Sequence, residues 1–472
     1  PECNERCGMT ISWRIWVKWD GTNWTNEASN CRNLVISRGR DNLIDGQAFG
    51  KIKVGEATII LDDADGRYDP YNTSSPLYGL VYPGKEFAVD DSNTRQFTGT
   101  IDSIKVFGIN KTVEIHAVDT WKRLSEAKVT VKYDNYPHVD GAIKDVYNKA
   151  VGDAKIACDF SIDAIKNWYA VDKNAKEVIE ELAALFMDEV FVDKNGYFVY
   201  LQHNDVKSIA KTVNQSSLLK DMAIKMPWEC QRNKVTYITK GTYIVNRVIL
   251  VYELEDPIFL KSGDNIELEF EYKNIKSDSY LTDVVYYSTL NTALDGSGDT
   301  PTINNLDWWT TGKSLIWSGT PDRDCYIISF VIYGKEVRKG SQWTVSYQSS
   351  SYTTYPNPIT FESEYIEDVN LMKTYALFLR DWFGNINYLP TIIVEGRPDW
   401  QFSLDLYDRL TVYIQKFQLY ADYFIGGIDY EWLTDNGQLV RTTYKLEPVK
   451  VTVPNYWVLG TGALNSTAKL GV

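Results

Sequence analysis

The chain has 472 residues, 44% hydrophobic and 24% charged, which excludes a disordered or collagen-like polymer. Its formal net charge of −14 gives no help to binding driven by neutralised phosphates, for which only a local basic patch is left, and gains nothing from an anionic membrane surface. Its 32 Tyr, 17 Phe and 15 Trp favour pleated, half-buried surfaces and contact cores, so a β-rich protein with large protein contacts is expected.

Residues 1–128 read as strands. "ISWRIWVKWDGTNW" is aromatic and β-branched, with Asp20-Gly21 as its hairpin turn. "LVISRGRDNL" and "GEATIIL" follow, and in the second Ala57, Ile59 and Leu61 share one face by the two-residue period. "RQFTGTIDSIKVFG" and "KTVEIHAVDTWKRLS" read as two further strands joined through Gly108-Ile109-Asn110, completing a small barrel or sandwich. Over residues 129–205 the period changes. Ile143, Val146, Tyr147 and Ala150 fall at helical spacing. "NAKEVIEELAALFM" predicts a second helix, capped by Asn174 with Glu177 three residues on, and with Val178, Leu182 and Leu185 facing inward. "DEVFVDKNGYFVYLQ" predicts a hairpin with a two-residue Asn195-Gly196 turn. This stretch is therefore expected as a small α+β domain. Strands return over residues 206–449, with a variable β region at about 261–360 and one amphipathic helix at about 366–384. Residues 450–472 read as an extended tail that docks on a neighbour.

"LDDADGRYDPYNTSSPLYG" crowds Asp62, Asp63, Asp65 and Asp69 around a Gly-Arg-Tyr. With Gly66 as the sixth residue of a calcium loop, Asp63, Asp65 and Asp69 fall on ligand positions, but the first ligand and the closing Glu are absent. They are weak calcium candidates, and the preferred reading is structural. Aspartates bond their own backbone in turns, Gly66 takes a positive φ, Pro70 fixes the chain after Asp69, and Arg67 neutralises part of the cluster. Tyr71 to Tyr78 then reads as an extended arm, with Tyr71, Leu77 and Tyr78 packing on the barrel or the next subunit. Asp65, Gly66, Arg67, Tyr68, Asp69, Pro70, Tyr71, Leu77 and Tyr78 form the expected structural and interface set.

Signs of catalysis are missing. His116, His138 and His203 have no partners at a motif spacing. No G-x-S-x-G elbow, H-E-x-x-H, P-loop or dinucleotide fingerprint is present, so neither an enzyme nor a cofactor is expected. Cys3, Cys7, Cys31, Cys158, Cys230 and Cys325 are too scattered for a disulfide framework, and Cys3, Cys7 and Cys31 lack a fourth zinc ligand. No apolar run reaches the roughly 18 residues of a membrane span, and "PECNERCGMT" is too polar for a signal peptide. Trp308, Trp309 and Trp317 in "NNLDWWTTGKSLIW" either stack on sugar rings or bury in a core, the commoner fate.

"ISRGRDNL", "GEATIILDDADGRYDPYNTSSPLYGLVYPGKEF", "FTGTIDSI" and "VEIHAVDTWKRLSEAKV" together resemble the N-terminal part of phage tail hub proteins, found at the distal end of the tail tube. "NAKEVIEELAALFMDEVFVDKNGYFVYL", "ADYFIGGIDYEW" and the terminal "YWVLGTGALNSTAKLGV" resemble later parts of the same family. The resemblance implies a mainly β fold in which two β-barrel-like hub domains flank the α+β domain. It implies a homotrimer whose six similar faces match a three-fold tip to a six-fold tube. The partners implied are the tail tube or a distal ring protein, the tape-measure protein, and a central spike or fibres, with DNA passing unbound. No appended enzyme is expected after "KLEPV". The alternative expectation is a tail protein that binds host glycans through the Trp-rich 261–360 region.

Overall fold

Alternation decides the first elements. In the strand Glu56–Asp62 the buried residues are Ala57, Ile59 and Leu61, the face that the two-residue period selects. In Trp13–Val17 they are Trp13, Ile15 and Val17. A computed structural model of the chain describes residues 12–40, 52–91, 94–133, 138–159, 165, 168–202, 207–214, 219–225, 232–276, 279–310, 312–363, 369–384, 389–396, 400–414, 419–433 and 439–449. Within them the protein is mainly β. His203, Cys3, Cys7, Cys230 and the tail 450–472 lie outside the described residues.

Among the described residues, thirteen strands form one curled, half-barrel sheet, which joins strands expected in two β-barrel-like domains. From one edge the order is Leu219–Lys225, Leu389–Glu395, Val440–Pro448, Leu419–Trp432, Cys31–Gly39, Glu56–Asp62, Thr112–Val118, Thr94–Phe107, Glu86–Asp91, Trp13–Val17 and Thr25–Asn26. Ile209–Asn214 lies beside Arg409–Ile414, which borders Leu419–Trp432. The N-terminal and the closing strands thus meet edge to edge: Val35 to Gly39 pair with Glu431 to Gly427, while the other edge of Cys31–Gly39 pairs with Glu56–Asp62. Gly39 makes this seam possible. Its φ is +85°, and a Cβ there would collide with the Gly426 carbonyl and come within 2.7 Å of Leu406 Cδ2.

"KTVEIHAVDTWKRLS" is not one strand. The strand stops at Val118, and helix α1 (Thr120–Glu126) begins after Asp119, whose carboxylate accepts the Trp121 N–H at 2.9 Å. An aspartate at the helix start prevails over the β-branched run before it. Helix α2 (Val139–Ala150) buries Ile143, Val146 and Tyr147, while Ala150 is half-buried. Helix α3 (Ala175–Leu185) is capped as its sequence predicts, with the Asn174 side chain accepting the Glu177 N–H at 3.2 Å. Helix α4 (Val369–Gly384) buries Met372, Tyr375, Ala376 and Leu379. All four helices contribute to the same hydrophobic core as the large sheet. The Asn195-Gly196 hairpin forms, but with five loop residues rather than two. Val192 pairs with Phe198, because Asp193 takes the N–H groups of Asn195 and Tyr197 at 2.9 and 2.8 Å and widens the turn.

A second core gathers Val251, Leu260, Phe270, Leu281, Leu315, Trp317, Phe330 and Ile332. Two long antiparallel strands, Lys234–Glu253 and Cys325–Gln348, enter both cores. One side of the second core is formed by a three-stranded sheet in the order Ile266–Glu271, Ser314–Pro321, Ile303–Thr310.

Candidate functional site

The acidic turn binds its own backbone. Asp62, Asp65, Asp69, Asn72 and Ser75 each accept the N–H two residues on, at 2.9 to 3.2 Å. Asp63, buried, reaches the Tyr68 N–H at 2.8 Å. Main-chain bonds from Asp69 to Gly66, Asn72 to Asp69, Ser75 to Asn72 and Tyr78 to Ser75 repeat every third residue. The segment Tyr71 to Tyr78 is therefore a staircase of turns and not an extended arm. An Asp, Asn or Ser at every third position supplies the local acceptor that a turn needs. Gly66 has a φ of +69°. The carboxylates of Asp63, Asp65 and Asp69 cap separate amides, and among the described residues no three acidic, His or Cys side chains cluster to hold a metal.

Arg67 does not neutralise this cluster. Its Nη2 turns away to Glu27 at 3.1 Å. Glu27, 1% exposed, also accepts the Trp19 indole N–H at 2.8 Å, the Tyr68 hydroxyl at 2.6 Å and the Asn30 amide at 2.9 Å. Four donors around one buried carboxylate satisfy it, and that pull outweighs the more exposed aspartates nearby. Burial and the Glu27 charge together push the Tyr68 phenol well above its ordinary pKa. Arg67 and Tyr68 thus lock the turn onto Glu27, next to the Thr25–Asn26 end of the sheet.

The expected contact residues divide. Leu77 is buried, whereas Tyr71 is 88% and Tyr78 52% exposed, and Pro70 is exposed beside them. The Asp63 N–H bonds the Lys111 carbonyl at 2.8 Å, so the turn shares one end of the sheet with the Thr94–Val118 hairpin tip. That tip exposes Val106, Phe107 and Ile109, the last at 98%. Together they make an apolar, tyrosine-bearing end suited to contact with another protein surface.

A second constellation lies at the seam and was not legible in the sequence. Arg38 pairs with Asp405, and Arg40 with Glu189 and Glu447. Burial disfavours both guanidinium charges, but the carboxylates outweigh it and hold both above their ordinary pKa. Asp405 is held below the ordinary range, its burial outweighed by Arg38. The tip of the Asp193–Tyr197 loop enters the same place: Lys194 N–H meets Asp405 at 3.2 Å, and its carbonyl accepts from Thr98 at 3.1 Å. Three parts of the chain are thereby tied together: the first strands, the α+β stretch and the closing strands. The only sequence signal was a pair of arginines bracketing Gly39 at the end of a strand.

The tryptophans also divide. Trp317 is buried in the second core, while Trp308 and Trp309 are 40% and 42% exposed. Trp308 packs edge-on to Tyr286 with ring centroids 5.4 Å apart. Cys31, Cys158 and Cys325 are free thiols.

No family model and no curated protein matches the chain. Among solved structures, a tail protein from Neisseria meningitidis MC58 is 10% identical, covering 93% of this chain and 98% of its own, with a TM-score of 0.52. The 43 kDa tail protein of prophage MuSo2 from Shewanella oneidensis is 12% identical, covering 92% and 98%, with a TM-score of 0.53. Over nearly its whole length, the chain has the fold of phage tail proteins.

Proposed function

We infer that the chain is a structural component of a phage virion, a hub at the distal end of the tail. In this reading it has no enzymatic activity and needs no cofactor. It caps the tail tube as a homotrimer, adapts six-fold to three-fold symmetry, contacts the tape-measure protein and a distal ring, carries a spike or fibres, and gates DNA release. The observation that carries the reading is a tail-protein fold spanning more than nine-tenths of the chain. In this reading the N-terminal and closing strands, which meet edge to edge at the Gly39 seam, act as the two similar halves per subunit that six faces in a trimer require. The exposed Tyr71, Tyr78, Phe107 and Ile109 supply an end on which a neighbour docks. A net charge of −14 suits a channel through which DNA slides by like-charge repulsion.

Mass photometry and electron microscopy of the purified chain, alone and with its tube protein, test the reading. Three-copy rings with an acidic channel are expected. A chain that stays monomeric in both conditions, or a ring with a basic channel, refutes it.

A further inference from the structure

The outer face of the three-stranded sheet over the second core has no role in the hub reading. Register places its residues in rows. Trp309, Ile316 and Glu269 stand side by side across the three strands, and Asp307, Ser318 and Glu267 form the next row. Glu271 lies opposite Ser314, whose hydroxyl donates to Glu269 at 2.6 Å. The opposite face sends Leu268, Phe270, Leu315 and Trp317 to the second core. Glu267, Glu269, Glu271, Asp307 and Trp309 are all exposed.

We propose that this face binds an uncharged or amino-bearing oligosaccharide, with Trp309 as the stacking platform and Glu269 and Asp307 as hydroxyl acceptors. The ring's electron-rich face attracts the slightly positive C–H groups on the flat side of a pyranose, and Ile316 extends that apolar floor. Asp307 is about 7 Å along the strand from Trp309, and Glu269 about 10 Å across two strand spacings. Those are the reaches of one sugar and its neighbour. The carboxylates accept hydroxyl protons more strongly than neutral groups do. Charge narrows the ligand further. Four carboxylates and no lysine or arginine stand in these rows, so phosphate-bearing and uronic-acid polymers are repelled while neutral and amino sugars are not. The site does not depend on the hub reading, because it is tested on the isolated chain and not on its assembly.

The experiment is saturation-transfer NMR and tryptophan-fluorescence titration of the full chain with cellotetraose, chitotetraose, a glucosamine tetramer and tetragalacturonate. The first three, or the glucosamine tetramer alone, are expected to bind, and tetragalacturonate is not. Trp309→Ala is expected to weaken binding about tenfold, Trp309→Phe to retain it, and Trp343→Ala, on the long ribbon, to change nothing. Matching thermal melts establish that the variants fold. Glu267→Gln with Glu269→Gln separates the sources: the neutral tetramers lose only the stronger hydroxyl acceptor, whereas the amino tetramer also loses its charge pairing and weakens more. Absence of binding by all three, equal binding of tetragalacturonate, or unchanged binding by Trp309→Ala overturns the proposal. So does a Trp309→Ala variant that turns a self-associating chain monomeric, which assigns the face to a second copy.

Discussion

Replacing Glu27 with alanine removes the acceptor of four donors, of which the Asn30 amide keeps a bond to the Tyr68 hydroxyl at 3.0 Å. Two of them, the Trp19 indole N–H and the Tyr68 hydroxyl, belong to side chains at most 1% exposed. A buried donor left unpaired costs about 1–3 kcal/mol, and removing one partner of a buried ion pair costs about 3–5 kcal/mol. Arg67 is a quarter exposed and recovers part of its solvation, so the expected loss is about 4 kcal/mol. Tyr68→Phe leaves Glu27 with three donors, and its expected cost is about 1 kcal/mol. Urea denaturation followed by tryptophan fluorescence measures the difference between the two variants. Amide exchange at Tyr68 and Tyr71, whose N–H groups bind Asp63 and Asp69, reports the turn itself. An alanine variant within 1 kcal/mol of the parent refutes the reasoning. A Tyr68→Phe variant as damaging as Glu27→Ala does so too, because the carboxylate would then not be the centre of the network.

Two further outcomes are expected. Burial pushes the Asp119 carboxyl up to about 7, against the pull of the Gly55 and Trp121 N–H groups. The folded chain therefore holds this proton more tightly than the unfolded chain, whose carboxyl titrates near 3.8. The group costs nothing below that value and progressively destabilises the fold as pH rises toward 7. Asp119→Asn should flatten that decline in a series of melting temperatures, and a parallel curve would contradict the assignment. Gly39→Ala should abolish the seam, seen as loss of soluble protein or rapid proteolysis between the sheet halves. Gly21→Ala, at φ +80° with nothing within 4 Å, should cost only about 1 kcal/mol; equal damage from both would show that strain alone, and not the close approach, governs Gly39.

Local rules carried the sequence reading where the competing forces were local. Ala57, Ile59 and Leu61 faced inward because alternation has one answer, and Asn174 capped α3 because a cap needs only three residues of context. The reading failed where a remote partner decided. Arg67 was assigned to the nearest aspartates, yet Glu27, 40 residues away, offered a buried acceptor with three other donors already in place. The arginines flanking Gly39 show the same limit, since Asp405, Glu189 and Glu447 reach them only once the sheet has closed. In the "DWW" segment, adjacent residues on a strand point to opposite sides, so Trp308 and Trp309 were bound to separate. Which of them met the solvent-facing rows depended on the register with Ser314–Pro321, which no single strand encodes.

The long pair Lys234–Glu253 and Cys325–Gln348 has a mechanical consequence. Both strands are continuous from the main core to the second one, with backbone bonding from Lys234↔Gln348 to Glu253↔Val331. A pull on the outer unit along the ribbon is carried by two extended backbones side by side, which the ladder keeps in register, whereas a loop linker would extend freely. The register shifts between Lys240 and Thr242 and between Ile244 and Val248 interrupt the ladder and let the ribbon flex sideways. The outer β unit is thus carried on a flat spring, stiff in tension and compliant in bending.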